Sequence, residues 1–211
     1  MMRKMKSLLL AGAGLLLSMS VSAHDIEVDA VYYRILSEDA VSVTYRGTDP
    51  NDYSGEYSGV VIIPNSVTYA DNQYRVVGIE GYACSGCSGV TSVEMPNSVI
   101  SIGYRAFSDC SDLVSVEIPN SVINIWTEAF SGCSGVTSVE IPNSVTSIEY
   151  GAFSGWSGLI SIVVDDENTD YDSREGCNAI IEKSSNTLIV GCQSTILPNN
   201  VTSIGDGAFS G

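Results

Sequence analysis

Between Val116 and Val145 the chain reads "VEIPNSVINIWTEAFSGCSGVTSVEIPNSV". The phrase "VEIPNSV" stands at both ends, 23 residues apart. Working outward, the same step relates Pro96, Pro119 and Pro142, and then Phe107, Phe130 and Phe153. It also relates Ile79, Ile102, Ile125 and Ile148, and Ala83, Ala106, Ala129 and Ala152. Cys87, Cys110 and Cys133 keep the step, and Trp156 takes the next cysteine place. Full units span 76–98, 99–121 and 122–144. A fourth starts at Val145 and is interrupted near Val164, and "VTSIGDGAFSG" (201–211) begins a fifth.

A unit of this length cannot bury its own apolar face, so copies must stack and share a continuous core. "VTSVEIP" alternates apolar and polar residues and stops at Pro142, the pattern of a short strand ended by proline. "SVTSI" is a second extended piece, and "AFSGCSG" is a turn bounded by glycines. The expected fold is mostly β, a solenoid with Val, Ile, Ala, Phe and Cys inside and Ser, Asn and Glu outside. Neighbouring strands would lie about 4.8 Å apart.

The unit resembles the BspA-like leucine-rich repeat of bacterial, Bacteroides-type surface proteins, in which proline follows the strand and "AF" precedes a cysteine. The likeness covers 76–164 and 201–211. It implies a leucine-rich-repeat solenoid with a β leader region, and adhesion to host extracellular proteins or to other cells. The general leucine-rich pattern puts asparagine three residues after the last strand apolar. Ser144 holds that place here, so a shifted asparagine ladder at Asn97, Asn120 and Asn143 is expected instead. Cys84 stands where later units have Phe.

The flanks read differently. Residues 1–23 have a basic start (Arg3, Lys4, Lys6), an apolar run from Leu8 to Leu17 and a small-residue end at Val21-Ser22-Ala23. This is the pattern of a secretory signal peptide. The run is too short to span a bilayer, so the expectation is an exported protein, secreted or at the cell surface, with no membrane insertion after signal removal. The leader holds three of the nine basic residues and none of the 25 acids, so six basic against 25 acidic residues remain, a net charge of −19. That argues against nucleic acid as a partner. Residues 24–75 are expected to form an N-terminal β cap with strands in "VYYRIL", "VSVTY" and "GVVIIP" and a hairpin turning at Asp71-Asn72. The spacing of Pro142 and Pro198 places an insert at 165–197, an acidic loop followed by a hairpin folded about Ser184-Ser185. That fold would pair Ile181 with Leu188, Ala179 with Val190 and Cys177 with Cys192. Opposed strand residues come close enough for a Cys177–Cys192 disulfide; the alternative is that both are small buried residues. A partial repeat at 198–211 ends without the polar closing unit that repeat arrays need, which suggests a longer protein.

Catalytic chemistry finds no footing. The one histidine is His24, so no Ser-His or Cys-His pair is available within the repeats. Cys84-x-x-Cys87 occupies repeat core slots. The acidic loop has Tyr171 and Cys177 where a calcium hand needs Gly and Glu. No enzyme activity, cofactor, resident metal or small-molecule substrate is expected. Glu94, Glu117 and Glu140 recur in equivalent outward positions, which reads as an acidic strand face rather than a catalytic pair. The three residues after each inward Ile vary: Gly103, Trp126 and Glu149 share one position, which a core would not tolerate. Trp126, with Tyr104 and Tyr150 at the next position of flanking units, is therefore expected to be exposed as an interface anchor. Together with Glu94, Glu117 and Glu140 these are the candidate binding residues. The reading is an exported repeat scaffold for protein binding; the alternative is a structural spacer or anchoring module of a longer surface protein.

Overall fold

The computed structural model describes residues 24–49 and 55–211. The leader 1–23, and with it the export expectation, lies outside the described residues. The chain first forms an antiparallel meander of β1 (Ile26–Val28), β2 (Val31–Ile35) and β3 (Ala40–Thr44). Tyr33, Val41 and Val43 turn inward and are buried. Beyond them lie β4 (Gly59–Ile62), β5 (Ser66–Tyr69) and β6 (Asn72–Ile79). β5 and β6 form a hairpin with Tyr69 opposite Asn72. Its turn is thus Ala70-Asp71, one residue before the expected Asp71-Asn72. Both have positive φ, 49° and 66°, as a two-residue hairpin turn demands.

From β6 onward the chain stacks. β6, β8 (Ser101–Ile102), β10 (Asn124–Ile125) and β12 (Ser147–Ile148) are parallel neighbours in one sheet, continued outward by β3, β2 and β1. Ile79, Ile102, Ile125 and Ile148 stand in register, so one rung is one 23-residue unit. A second sheet holds β4, β7 (Val90–Glu94) and β9 (Ser115–Val116). β11 (Ser138–Ile141) and β13 (Ser161–Val164) pair with each other at the equivalent repeat positions. β4 also carries a repeat strand. Val61 faces Val93, and the Ile63 N–H donates to the Glu94 carbonyl at 2.9 Å. "VIIPNSV" at 61–67 is thus the same strand and proline stop as "VEMPNSV" at 93–99. The intervening β5–β6 hairpin breaks the 23-residue step and hides this rung from a search for that step.

The turns between the strands are laddered too. The Phe107 N–H donates to the Ala129 carbonyl (2.7 Å) and the Phe130 N–H to that of Ala152 (2.8 Å). Phe107, Phe130 and Phe153 stack with centroids 5.2 and 5.8 Å apart and nearly parallel rings. Ile102, Phe107, Cys110 and their counterparts Ile125, Phe130 and Cys133 are fully buried. The cysteine slot is also a hydrogen-bond slot. The Cys110 thiol donates to the Cys84 carbonyl and the Cys133 thiol to the Phe107 carbonyl, both at 3.1 Å. Trp156 replaces the next cysteine, and its indole N–H donates to the Phe130 carbonyl at 2.6 Å. A bulky residue is accepted there because it brings a donor to the same acceptor. The shifted asparagine ladder is not formed. Asn97, Asn120 and Asn143 face solvent, because the residue after the proline already points out of the rung.

The insert closes the stack with side chains. Its elements are β14 (Tyr171–Asp172), a 3-10 turn (Arg174–Gly176), β15 (Ala179–Glu182) and β16 (Thr187–Gly191), and β17 (Ser203–Ile204) pairs in parallel with β16. Asn168 sits one period after Val145 and is buried. Its amide group donates to the carbonyls of Pro142 and Val145 (2.8 and 2.9 Å), and its oxygen accepts from Asp170 and Tyr171. The Tyr171 hydroxyl accepts the Ile148 N–H at 2.8 Å on the edge of β12. Asn178 accepts the Ile162 N–H and donates to the Ile160 carbonyl on the edge of β13. Its carboxamide takes the place of the next rung's peptide group. In the hairpin Ile181 faces Leu188 as expected, but a bulge between Ile180 and Ile181 brings Ala179 opposite Gly191 rather than Val190. The shift takes Cys177 and Cys192 out of opposition, and both thiols are free. The expected disulfide is therefore corrected. Cys177 packs instead with Ala179, Ile181, Leu188 and Ala208, and the Cys192 sulfur accepts from the Asn178 amide at 3.2 Å.

Candidate protein-binding surfaces

Each inward Ile of the first sheet is followed by three residues that form an outer ridge. In the third of these positions Tyr82, Arg105, Glu128 and Gly151 all have positive φ, between 51° and 65°. The conformation turns their N–H groups toward the next rung. Tyr82 donates to the Tyr104 carbonyl (2.9 Å), Arg105 to that of Thr127 (3.1 Å) and Glu128 to that of Tyr150 (3.0 Å). Glycine takes this conformation freely, whereas other residues are strained by about 1–2 kcal/mol. Three of the four positions nonetheless carry long side chains.

The ridge side chains are exposed or half-buried and are ordered by mutual contact. Trp126 is 45 % exposed, Tyr104 38 % and Tyr150 64 %. The Trp126 indole N–H donates to the Ser101 hydroxyl of the preceding rung at 2.9 Å. The Tyr82 and Tyr104 rings meet edge to face, centroids 5.2 Å apart. The Arg105 guanidinium lies 5.3 Å from the centre of the Tyr104 ring and is paired with Glu128. The hydrogen bond that Arg105 donates to Glu128 raises the Arg105 pKa further above its already high value. Thr127 donates through both its N–H and its hydroxyl to one oxygen of Glu149. The exposed position expected for Trp126, Tyr104 and Tyr150 is therefore present, and the half-buried Tyr82 packs beside Tyr104. Tyr82 escapes the repeat pattern because Gly81 precedes it where later units carry Tyr104 and Tyr150. Gly151 and Gly207 in the same repeat position, both with positive φ, were the available sign of a position that projects outward.

Glu94 and Glu140 lie on β7 and β11 and Glu117 directly follows β9, all three exposed. Ile62 flanks the row on one side, opposite Glu94, and Val163 on the other, opposite Glu140. These flanking residues are 61 % and 50 % exposed. The ion pairs among the described residues are Arg34–Glu80, Arg105–Glu128 and Arg174–Asp172, and none involves the row. Ridge and row follow different strands of each rung, so they form two surfaces rather than one site.

Among the described residues, no group of three His, Cys, Asp or Glu side chains is placed to hold a metal, and no helix is long and apolar enough to cross a membrane. The acids of the insert loop serve its own turns. Asp165 accepts the Glu167 N–H, Arg174 pairs with Asp172, and Lys183 donates to the Asn168 carbonyl. Burial raises the thiol pKa values of Cys84 and Cys87, so the Cys84-x-x-Cys87 pair lacks the thiolate character of a reactive cysteine.

The family described as BspA type leucine-rich repeat region matches residues 77–183 in six copies. No curated protein sequence matches the chain. Among solved structures, a leucine-rich repeat protein from Bacteroides capillosus is similar at 25 % identity and a TM-score of 0.55, over 66 % of this chain and 97 % of that one. The pneumococcal vaccine antigen PcpA is similar at 14 % identity and a TM-score of 0.56, over 85 % of this chain and 60 % of that one. A leucine-rich repeat protein from Eubacterium ventriosum is similar at 18 % identity and a TM-score of 0.56, over 86 % of this chain and 55 % of that one. The last two likenesses concern the fold alone.

Proposed function

The chain belongs to the BspA-type leucine-rich repeat family, and from that premise we propose that it is an exported scaffold whose outer ridge binds a protein partner, acting at the cell surface as an adhesin for host extracellular proteins or other cells. The observation that carries this reading is the run of long side chains held at positive φ along the ridge, Tyr82, Arg105 and Glu128. A position where glycine would be unstrained, yet which bears aromatic and charged groups, supports a role outside folding. Trp126 and the tyrosines around it supply large, partly rigid contact area of the type that dominates protein interfaces. The Glu94–Glu117–Glu140 row would add attraction for a basic partner and speed the encounter.

The test is Trp126→Ala, read by melting and by capture of immobilised fibronectin and fibrinogen. Lost capture with unchanged melting supports the ridge. Unchanged capture with lost stability makes Trp126 structural and moves the binding face elsewhere. Capture by neither the parent nor any ridge variant favours the spacer or anchoring role.

A further inference from the structure

The two sheets begin differently at the N-terminal end. The sheet containing β6 is covered by β3, β2 and β1, whereas the other begins at β4, which pairs with β7 alone among the described residues. The Ile63 N–H points to β7, so by alternation along the strand the Ile62 N–H points away from it, along an unpaired edge. Sheet edges are commonly blunted by charge, proline or a bulge. Gly59–Ile62 contains neither charge nor proline, and its one irregularity is a register shift between Gly59 and Val60. Val60 and Ile62 are 56 % and 61 % exposed. A groove of about 500 Å³ runs beside this edge, lined by Asp29 and Ala30 of the β1–β2 turn and by Glu56, Ser58, Val60 and Ile62. Glu56 lines this groove; its Oε1 is shut off from solvent without a hydrogen-bond partner, while Oε2 accepts the Arg46 N–H at 3.1 Å. Burial raises the Glu56 pKa, and the nearby Arg46 offsets part of that rise. A cation in the groove would face the two acids that line it, Asp29 and Glu56.

We propose that the β4 edge takes up an extended, basic segment of a partner protein by strand addition, its backbone pairing with β4 and a Lys or Arg side chain reaching Glu56. Strand addition draws affinity from main-chain bonds and specificity from alternate side chains, and here the exposed Val60 and Ile62 and the acid of the groove supply the second. A second copy of this chain is the poorer occupant: with 25 acidic residues against nine basic, it would bring like charge to Asp29 and Glu56.

The test uses the full chain and a labelled six-residue peptide of alternating valine and lysine, with its valine–glutamate counterpart as control. The account expects saturable binding of the lysine peptide alone, with slowed amide exchange at Val60 and Ile62. Ile62→Pro removes one outward N–H, a change that edge strands tolerate, and should weaken binding by about ten-fold, roughly 1.4 kcal/mol. Glu56→Gln, which keeps the shape of the site, should weaken it several-fold, and covers the case in which Ile62→Pro fails to fold. Trp126→Ala should leave it unchanged, which separates this edge from the ridge. The proposal is overturned if the glutamate peptide binds equally well. It is also overturned if exchange slows along Glu94, Glu117 and Glu140 instead of β4, or if β4 becomes protected with rising protein concentration and no peptide, the mark of pairing between copies.

Discussion

The regular rungs at 99–144 and the insert at 165–197 meet the same demand by different means. Both must satisfy the polar groups of a parallel stack whose neighbours sit one strand spacing away. In the regular rungs like residues repeat the same bond, as when Cys110 and Cys133 each donate to a carbonyl of the preceding rung. At the insert the next rung's strands are missing from their place, although its turn continues the ladder by accepting the Gly155 N–H on the Ser210 carbonyl, and single side chains act for the strands. Asn168 bonds the carbonyls of Pro142 and Val145, Tyr171 takes the Ile148 N–H, and Asn178 serves both Ile160 and Ile162. A solenoid can thus be interrupted without an orphaned edge when amide and hydroxyl side chains replace peptide groups, which a stack otherwise supplies by repetition.

The comparison is broken most severely on the regular side. Phe130 lies between Phe107 and Phe153 with no exposure. Phe130→Ala should cost about 3–5 kcal/mol, visible as a large fall in melting temperature; an unchanged curve would contradict the stacked core. Alkali should act on the core that runs through the rungs and the N-terminal strands. Burial raises the Cys84 and Cys87 thiols, and the hydrogen bond with Cys133 followed by burial raises Cys110. Burial likewise pushes Tyr33 up to about 12. These groups ionise more readily unfolded, so their contribution is complete below pH about 8.5 and is lost as pH rises from there toward the folded values. The slope is roughly 1.4 kcal/mol per thiol per pH unit. Denaturant unfolding at pH 7.5 and 9.5 should show that loss, reduced in Cys110→Ala; equal stability at both would contradict it.

On the insert side, Asn168→Ala should cost about 1–3 kcal/mol, because it strands buried carbonyls. Chemical denaturation of the variant checks this, and a neutral result would mean that the carbonyls find other partners. Trp156→Phe keeps an aromatic ring and removes the donor to Phe130, for a loss of about 1 kcal/mol. Trp156→Cys tests whether the ordinary slot residue restores the bond. The smallest effect belongs to the acid row. Neighbouring glutamates repel by about 1 kcal/mol or less in water. Glu117→Gln should therefore leave stability equal or slightly higher and flatten its rise with salt; a destabilised variant with an unchanged salt response would remove the row from the account.

Much of the fold was legible because the core repeats in type as well as spacing. Ile102, Phe107 and Cys110 announce buried slots by recurring, and the exposure of Trp126 follows from Gly103 and Glu149 in the same place. What stayed hidden depends on single residues. The β4 rung is masked by the hairpin inserted after it. The Ile180–Ile181 bulge, which undoes the symmetry suggesting a Cys177–Cys192 bond, leaves no sign in the pattern of apolar residues. Asn168 stands in a slot where other units carry Val145 and Val122, and only three-dimensional placement shows that its amide works as backbone. The ridge was half visible: its aromatics were found by variation, while the positive φ that holds Tyr82, Arg105 and Glu128 outward was marked only by glycines elsewhere in the slot.

The central claim is that the ladder runs through the turns and that side chains take the place of strand peptide groups at the insert. Residue-resolved hydrogen exchange of the folded chain tests it most directly. Phe107, Phe130 and Gly132 are turn amides bonded to the next rung, and Ile162 is a strand amide bonded to Asn178. The account predicts that Phe107, Phe130 and Gly132 exchange as slowly as Ile102 and Ile125 in the strands. It also predicts that Ile162 is protected in the parent and exchanges faster in Asn178→Ala. Rapid exchange of the three turn amides beside slow strands, or an Ile162 amide indifferent to Asn178, would contradict it.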